Sequence, residues 1–458
     1  MNLKLNFVVS LALLALIVIP PTYAQLPILV WSHTTYPSDT LDIAISKDGQ
    51  YVAAVGKFWS AEWGTTVGQI RFYGRASGTP LWTWTTEDTF PPEEFRSVVI
   101  SADGDAVVAG GMLHLFYWKN AKSIRGTQEP TWQGLDVVID SYETRCLDIS
   151  DDGNYVVYCG PGEGYGVIYY WSNAKAKAET TVPATWSYSA DDLFHAVDLS
   201  GNGDYVSAGF GGNVGYWKNA RTLTGDPQNP DWISTRPNDL VVDVALSEDG
   251  NYVAAAAGLD TVYYWSGATH LSGDPSSTWE SGLQTEFTSI DMSRDGDSVI
   301  AGTGQSEVQF WDRARSLSDT PPPAWIATTR SGARIEDVEM NDAGTYMAVV
   351  ASVPNEPLFY FTAYFFDRVG VLKWEYPYPP GAWYTISISL SCDGGSLAAG
   401  TSMPFTAYLF DTGFSTPCCR GPVGGEVMMS TPVLSPIMLI ALIAASSVIA
   451  LGYRFRRR

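Results

Sequence analysis

The chain is poor in basic residues, in histidine, in cysteine and in charge as a whole. Its 458 residues include 27 Lys and Arg against 49 Asp and Glu, and charged residues make up only 17%. The resulting net charge of −22 argues against nucleic-acid binding, which requires a basic surface. A disordered chain is also excluded, because hydrophobic residues reach 45% and aromatic residues 13%. The length allows one repeat-built domain or two to three ordinary domains.

The sequence also lacks familiar catalytic motifs. Its four histidines are not spaced as metal ligands, and there is no Gly-x-Ser-x-Gly nucleophile elbow or phosphate-binding loop. An Asn-x-Ser/Thr sequon is missing too, so conventional N-glycosylation is not expected. We therefore predict that the protein is not an enzyme.

The first 24 residues are predicted to be a secretory signal peptide. One cation, Lys4, precedes an apolar run over residues 7–19, and small residues stand at Thr22 and Ala24. This pattern predicts cleavage before Gln25, and the apolar run is short for a membrane span. The alternative is an uncleaved anchor.

A longer apolar stretch near the C-terminus predicts one transmembrane helix over residues 433–453. Four arginines follow within residues 454–458, and arginines beside a span stay in the cytoplasm. A Gly-rich linker over residues 416–432 would join this span to an extracellular body over residues 25–415. The alternative is cleavage, because this end also resembles the tripartite sorting signals of microbial surface proteins.

A sequence motif repeats along residues 25–415. It consists of an alternating apolar run, Ser-x-Asp-Gly, a second short apolar run and an aromatic run. The turn glycines recur at spacings of 55, 49, 50, 47, 46, 48 and 50 residues. Because glycine adopts positive φ at little cost, each turn predicts a β-hairpin. These glycines are Gly49, Gly104, Gly153, Gly203, Gly250, Gly296, Gly344 and Gly394.

Each repeat contains four predicted strands, which indicates a β-propeller blade. The third strand ends in an aromatic pair such as Tyr117-Trp118, and seven internal fourth strands each carry a tryptophan. Eight turn-bearing units but only seven internal fourth strands leave one strand missing, and the segment around Trp31 supplies it. We predict an all-β, eight-bladed propeller closed by its N-terminal strand, which hides the sheet edges. Seven blades are the alternative, if the long first repeat is aberrant.

The Ser-x-Asp-Gly turn and the aromatic third strand resemble those of WD-repeat propellers over nearly the whole extracellular body. The chain departs from that pattern, since only Trp311-Asp312 keeps a Trp-Asp pair and no Gly-His dipeptide begins the repeats. One tryptophan per repeat, and the phrase from Asp367 to Trp374, also resemble quinoprotein (YVTN-type) propellers. That second resemblance implies pyrroloquinoline quinone held over Ca²⁺ at the ring axis, and an oxidoreductase activity.

The first strand of each repeat is predicted to line the propeller axis, and several of these strands carry acidic residues. Like charges that converge on a narrow channel need a cation or hydrogen-bond donors. One interpretation is a Ca²⁺ or other cation site. The favoured one is that these carboxylates accept bonds from the adjoining blade and fasten the blades together. The residues are Asp42, Asp148, Asp198, Asp243, Asp291, Asp337 and Glu339.

The loops between second and third strands, and between fourth and first strands, are predicted to share one face, where propellers usually bind. The first repeat is the longest and carries two tryptophans in such a loop. They are either a platform for sugar rings or cations, or a cap on the local core. The ligand-binding candidates are Trp59, Glu62, Trp63, Glu93, Glu94 and, on a separate loop, His195.

Five cysteines lie in the predicted extracellular part, where disulfides are permitted. Cys146 and Cys159 flank one turn and are expected to face each other across the hairpin. Cys392 lies in the last turn and is expected to reach either Cys418 or Cys419. One cysteine is left over. We expect the cysteines to form structural disulfides and not to take part in redox chemistry.

The sequence thus predicts an extracytoplasmic propeller, anchored in the cell membrane, that acts as a binding scaffold for an extracellular protein or glycan. No resident cofactor is predicted, apart from the Ca²⁺ interpretation of the axis. The alternatives are a quinoprotein-like oxidoreductase and, third, a structural component of a surface layer.

Overall fold

The protein is described by a computed structural model over residues 26–35, 38–89, 92–111, 114–134, 146–161, 166–235, 237, 239–258, 261–282, 285–355, 358–379, 385–402 and 405–418. The predicted signal peptide, the predicted transmembrane helix and nearly all of the predicted linker lie outside these ranges. Within them, no helix has the length and apolar character needed to cross a membrane.

The described residues form eight antiparallel sheets of four main strands each, which are the blades. The N-terminal strand is β1 (Ile28–Thr35). Blade 1 contains β2 (Ser38–Ile45), β3 (Tyr51–Ser60), β4 (Thr65–Gly74) and β5 (Ser77–Thr85). Blade 2 contains β6 (Phe95–Ile100), β7 (Ala106–Gly111), β8 (Leu115–Lys119) and β10 (Trp132–Gly134); the two-residue β9 (Gly126–Thr127), which follows β8, pairs with β5 of blade 1. Blade 3 contains β11 (Leu147–Ile149), β12 (Tyr155–Pro161), β13 (Gly166–Ser172) and β15 (Trp186–Ala190); the two-residue β14 (Thr181–Val182), which follows β13, pairs with β10 of blade 2.

The remaining blades repeat this order. Blade 4 contains β16 (Phe194–Leu199), β17 (Val206–Phe210), β18 (Asn213–Trp217) and β19 (Trp232–Ser234). Blade 5 contains β20 (Val241–Leu246), β21 (Tyr252–Ala257), β22 (Thr261–Ser266) and β23 (Trp279–Glu280). Blade 6 contains β24 (Phe287–Met292), β25 (Ser298–Thr303), β26 (Glu307–Asp312) and β27 (Trp325–Thr328). Blade 7 contains β28 (Arg334–Met340), β29 (Tyr346–Asn355), β30 (Leu358–Asp367) and β31 (Leu372–Pro377). Blade 8 contains β32 (Thr385–Leu390), β33 (Ser396–Thr401) and β34 (Phe405–Asp411).

The N-terminal strand closes the ring. Strand β1 pairs antiparallel with β34, from Ile28 opposite Asp411 to Thr35 opposite Phe405, and so becomes the fourth strand of blade 8. Blade 8 in turn packs on blade 1 through β32 and β2. The predicted eight-bladed, all-β propeller is therefore confirmed, and the ring does not have seven blades.

The turn phrase folds the same way from blade to blade. In blade 1 the Ser46 hydroxyl donates to the Asp48 carboxylate at 2.6 Å and accepts the N–H of Tyr51 at 3.0 Å. The turn glycines take positive φ, between 60° and 77°. A Cβ at Gly104 would lie 2.5 Å from the Tyr51 ring of the preceding blade, so the turn also needs glycine for close blade packing.

The fourth-strand tryptophans join neighbouring blades. Within blade 3, Trp186 stacks on Tyr170 with ring centroids 5.0 Å apart. Its indole N–H donates to the backbone carbonyl of Ala220 in blade 4, at 2.9 Å. Because each fully buried indole needs a partner, this one bond satisfies the ring and fixes the next blade. The same bond recurs from Trp82, Trp132, Trp232 and Trp279.

Candidate functional site

A cavity of about 610 Å³ follows the ring axis. The first strands of all eight blades line it, from β2 in blade 1 to β32 in blade 8. These are the innermost strands, so one edge of each has no strand partner, and its N–H groups need other acceptors. Acidic side chains on the same strands supply those acceptors in two layers.

The first layer lies four residues before the turn serine or asparagine and consists of Asp42, Asp243 and Asp337. Asp243 shows the arrangement: one oxygen accepts the N–H of Val244 at 2.9 Å, and the other accepts the N–H of Ile290 in blade 6 at 2.9 Å. Asp42 bridges blades 1 and 2 in the same way, and Asp337 bridges blades 7 and 8. Each carboxylate therefore fastens its own blade to the next.

The second layer lies two residues before the turn serine or asparagine and repeats the same bond. Asp148 accepts the N–H of Leu199 in blade 4 at 2.8 Å, and Asp198 accepts the N–H of Leu246 in blade 5 at 2.6 Å. Asp291 does so towards blade 7. Where blade 8 meets blade 1, the Ser389 hydroxyl takes the place of a carboxylate and accepts the N–H of Ile45 at 3.3 Å.

Burial changes the protonation of these axial carboxylates. Loss of solvation raises the pKa of Asp148 to about 6 and that of Asp243 to about 7. It also raises the pKa values of Asp198, Asp291 and Glu339 well above the ordinary range, and neighbouring carboxylates raise them further. Asp148 and Asp198 share a hydrogen bond, in which we assign the proton to Asp198. Retained protons therefore offset part of the charge that converges on the axis.

The axial residues were the predicted metal candidates. In the part of the chain that the structure describes, no group of three or more His, Cys, Asp and Glu side chains could hold a metal ion. The six aspartates of the two layers each point one or both carboxylate oxygens at backbone N–H groups. This geometry does not supply the open calcium-ligand set that the quinoprotein resemblance implies.

A network of ion pairs lies at the end of the cavity that is formed by the turns. Lys47 lies 2.6 Å from Asp151 and 3.7 Å from Glu248, both on other blades. Arg294 lies 3.1 Å from Asp151 and 3.1 Å from Asp342, and it also pairs with Glu248. Two cations thus join three acidic side chains across the axis. We call these five residues the axial plug.

The backbone tightens the same end of the ring. Plug residues follow the turn serine or asparagine directly, and the N–H at this position donates to the carbonyl at the same position in the next blade. Six such bonds, 2.8–3.2 Å long, run from Ala102, Asp151, Glu248, Arg294, Asp342 and Cys392. Sequence reasoning treated this position as unspecified and missed the plug. The sequence feature that could have indicated the plug is a charged residue directly after the turn serine or asparagine in five of the eight repeats.

His195 lies at the opposite end of the cavity, near the start of β16. Burial lowers the pKa of His195, and the charge of Asp192 opposes that shift only in part. The imidazole is therefore neutral at pH 7.

The predicted recognition loop is a long hairpin of β3 and β4. Trp59 is 60% exposed and Trp63 is 41% exposed at its tip, and Glu62 between them is exposed too. The stem is held by Ser60, whose hydroxyl donates to Glu87 at 2.6 Å.

The two other acidic candidates differ in what they contact. Burial alone would raise the pKa of Glu94, but the Thr66 hydroxyl, Lys57 and Arg96 together lower it. Lys57 lies 3.2 Å from the Glu94 carboxylate. Glu93 is only 2% exposed, and its carboxylate pairs with His114 at 2.6 Å. Glu94 thus holds the base of the hairpin, whereas the buried Glu93 carboxylate binds His114 of blade 2 and is not on the surface.

Two disulfides lie in the described part of the chain. Cys146 joins Cys159 across the first hairpin of blade 3, with Cα atoms 5.0 Å apart. Cys392, beside the axial plug, joins Cys418 after the last blade, with Cα atoms 5.2 Å apart. The other predicted partner, Cys419, lies outside the described residues.

The comparisons with known proteins agree with this architecture. No protein-family model matches the chain, and no curated protein sequence matches it. Among solved structures, the C-terminal WD40 domain of Sif2 aligns with a TM-score of 0.62 and 12% identity, over 85% of this chain and 99% of that chain. Sqt1 from Chaetomium thermophilum aligns with a TM-score of 0.60 and 13% identity, over 84% and 99%.

A second structure of Sqt1 was determined with the N-terminus of ribosomal protein L10 bound. It aligns with a TM-score of 0.61 and 14% identity, over 84% of this chain and all of that chain. At such identities the likeness concerns the fold and not the function. The chain has the fold of a WD40-like β-propeller.

Proposed function

We propose that this protein is an extracytoplasmic, membrane-anchored scaffold that binds a partner protein or glycan through the loop face of its propeller. The observation that carries the proposal is the exposure of Trp59 and Trp63 at the tip of a braced hairpin. Indole rings offer large contact areas, and a fixed stem reduces the entropy lost on binding. Exposed tryptophan is therefore better explained by recognition than by packing.

A protein partner is the preferred ligand class. One protein of the same fold, Sqt1, has been seen with a peptide segment of another protein bound. The ectodomain is strongly acidic, which favours partners that carry positive charge near the contact. A glycan that stacks on the two indoles is the other ligand class in this proposal.

The cellular placement in this proposal comes from the ends of the sequence. The signal peptide over residues 1–24 would send the propeller out of the cytoplasm, and the helix over residues 433–453 would retain it at the membrane. The two disulfides are consistent with an oxidising compartment.

The proposal includes no catalytic step and no resident cofactor. The axial carboxylates are engaged by backbone N–H groups, and the plug residues by one another. These groups are thus committed to holding the ring together. A quinoprotein-like oxidoreductase is not favoured, because the residues that the structure describes offer no calcium-ligand set at the axis.

Site-specific photocrosslinking tests the role of the hairpin. A photoreactive residue replaces Trp59 in the full chain expressed in its native cells, and a matched control replaces Arg313, which is 78% exposed on another loop. We expect a discrete adduct with another molecule from position 59 and none from position 313. Trp59→Ala with Trp63→Ala should leave the melting temperature unchanged and abolish adduct formation from a photoreactive residue at position 62.

Three outcomes would contradict the proposal. The same adducts from positions 59 and 313 would mean that the hairpin has no special role. Adducts only with other copies of this chain would favour the structural surface-layer alternative. Resistance of the propeller to protease added outside intact cells, with digestion after lysis, would contradict the extracytoplasmic placement.

A further inference from the structure

In five blades the outermost strand is covered by chain from the following blade. The connection between the third and fourth strands of blades 2 to 6 bends back and meets the preceding outermost strand in parallel. Strands β9 and β14 do this against β5 and β10, and single parallel bridges do it at blades 3, 4 and 5. The covering segment satisfies an edge that would otherwise present open N–H and C=O groups.

The cover on blade 4 shows the chemistry in most detail. The N–H of Ile233 donates to the carbonyl of Gly273 at 2.9 Å. The Thr235 N–H and hydroxyl donate to the Asp274 carboxylate at 3.0 and 2.9 Å. The carbonyl of Pro275 accepts a serine hydroxyl from the edge at 2.8 Å and an indole N–H at 3.4 Å. A Gly-Asp-Pro segment is thus recognised by backbone, carboxylate and carbonyl contacts together.

Blade 6 repeats this edge, and no segment that the structure describes pairs with its outer side. Its edge reads Trp-Ile-Ala-Thr over residues 325–328, against Trp-Ile-Ser-Thr over residues 232–235 in blade 4. In blade 5 the connection that covers the blade 4 edge spans residues 267–278, between β22 and β23. In blade 7 the equivalent connection is only residues 368–371, between β30 and β31. Four residues are too few to reach back over the edge of blade 6.

The shortened connection leaves a groove of about 610 Å³ beside β27. It is lined by the edge residue Thr328, by Arg330, by Phe366 of blade 7 and by Glu375. Arg330 makes no salt bridge with any residue that the structure describes. Ile326 on the same edge is 48% exposed. The groove therefore combines an apolar wall, hydroxyl groups and one cation that has no acidic partner among the described residues.

On the blade 6 edge, the N–H groups that point away from the sheet are at the same positions as on the blade 4 edge. Thr329 donates its N–H to the carbonyl of Ser306 at 2.8 Å, which fixes the ladder with β26. Alternation along an antiparallel pair then turns the N–H groups of Ile326 and Thr328 away from β26. Across the described chain, neither N–H has a hydrogen-bond acceptor.

We infer that the edge of blade 6 binds an extended Gly-Asp-Pro segment of a partner protein, in the parallel register that blade 4 uses for residues 271–276. The glycine carbonyl accepts the N–H of Ile326. The aspartate carboxylate accepts the N–H and hydroxyl of Thr328 and lies near the charge of Arg330, which Glu375 offsets in part. This site is on the rim of the ring and does not depend on the hairpin of blade 1.

Two contacts of the blade 4 complex are missing at blade 6. Ala327 replaces the serine whose hydroxyl reaches Pro275, and Phe366 replaces the tryptophan whose indole does so. Binding should therefore be weaker than a full copy of the blade 4 contacts would give. Restoring the hydroxyl with Ala327→Ser should strengthen it, which provides a gain-of-function test.

The probe is an acetylated, amidated peptide Leu-Ser-Gly-Asp-Pro-Ser, the sequence of residues 271–276, titrated against the full chain. We expect Asp→Ala in the peptide, Thr328→Val or Ile326→Pro in the protein each to weaken binding about tenfold, since each removes one or two hydrogen bonds. Proline is tolerated at an open edge because its missing N–H is not used in the ladder. Ile326→Val keeps the N–H and should bind as the wild type does. Ala327→Ser should bind about threefold to fivefold more tightly.

Hydrogen exchange locates the bound peptide independently of affinity. The peptide should slow exchange of the amides of Ile326 and Thr328, and it should leave residues 232–235 of the covered edge unchanged. No binding at millimolar peptide would overturn the inference. So would equal binding by the wild type, Thr328→Val and Ile326→Pro, or protection confined to another blade.

Discussion

The buried axial carboxylates should make the propeller less stable as the pH rises, and Asp243 is the clearest case. Burial raises its pKa to about 7 from an ordinary 3.8. Between these two pH values the folded state therefore holds more protons at this site than the unfolded chain. The free energy of unfolding must then fall as the pH rises, from about pH 4 until the pH passes 7.

The magnitude follows from the two pKa values. Between pH 5 and pH 8, a carboxyl with these values lowers the free energy of unfolding by about 2–3 kcal/mol. Asparagine at this position carries no charge and does not titrate. Its NH2 group cannot accept the second of the two backbone N–H groups that Asp243 binds, but that loss is the same at every pH. The stability of Asp243→Asn relative to the wild type should therefore increase by about 2–3 kcal/mol between pH 5 and pH 8.

Equilibrium urea unfolding, followed by tryptophan fluorescence at pH 5, 6, 7 and 8, measures this difference. The lowered pKa values of His33 and His195 also make stability depend on pH, but they cancel when the variant is compared with the wild type. Glu62→Gln, which removes one charge from an exposed loop, controls for net charge. A difference between Asp243→Asn and the wild type that is flat with pH, or that grows towards acid pH, would refute the reasoning.

Three further changes test other parts of the account. Arg294→Met should lower the free energy of unfolding by about 3 kcal/mol, because three acidic plug residues lose their shared cation. The control is Arg313→Met, on a side chain that is 78% exposed, which should lower it by less than about 0.5 kcal/mol in the same urea assay. Cys146→Ser with Cys159→Ser should cost about 3 kcal/mol, as expected for opening a short loop, and calorimetry with and without reductant checks whether only the wild type responds. Gly104→Ala should cost at least about 1 kcal/mol, since its Cβ meets the preceding blade at positive φ, and an unchanged melting temperature would contradict that packing.

Much of the fold follows from the sequence because each repeat carries its own local signals. The turn glycines adopt the positive φ that their phrase predicts, and the fourth-strand tryptophans lie in the core. Ring closure can also be predicted from the sequence. The last repeat lacks a fourth strand, and the segment around Trp31 before the first repeat can supply it. These features depend on short-range pattern and on counting, which a single sequence supplies.

The candidate site was less predictable, because its contacts join residues far apart in the chain. The sequence indicates that acidic residues converge at the axis, but it does not say whether cations, protons or N–H groups compensate them. The structure supplies the backbone donors, such as Val98 for Asp42 and Ile290 for Asp243. The axial plug went unpredicted because Lys47 pairs with Asp151, two blades away.

The differences between outer edges were also hidden in the repeat. In blades 2 to 6 the third strand ends in tryptophan and a covering segment follows; in blade 7 the aromatic is Phe366 and the connection is short. Each indole N–H donates to the covering segment, as Trp217 does to the carbonyl of Gln228 at 2.8 Å. The change from tryptophan in blades 2 to 6 to Phe366 in blade 7 is visible in the sequence, but only the contacts show what the tryptophans do.

The central claim is that the axial carboxylates fasten the blades and do not form a cation site. Thermal unfolding of the full chain, purified without metal and measured with chelator and then with millimolar Ca²⁺, tests it most directly. The account predicts the same melting temperature in both. A ligand at 100 times its dissociation constant adds about 2.7 kcal/mol of stability. A clear rise in melting temperature with Ca²⁺, lost in Asp243→Asn, would contradict the claim and return the axis to the calcium interpretation.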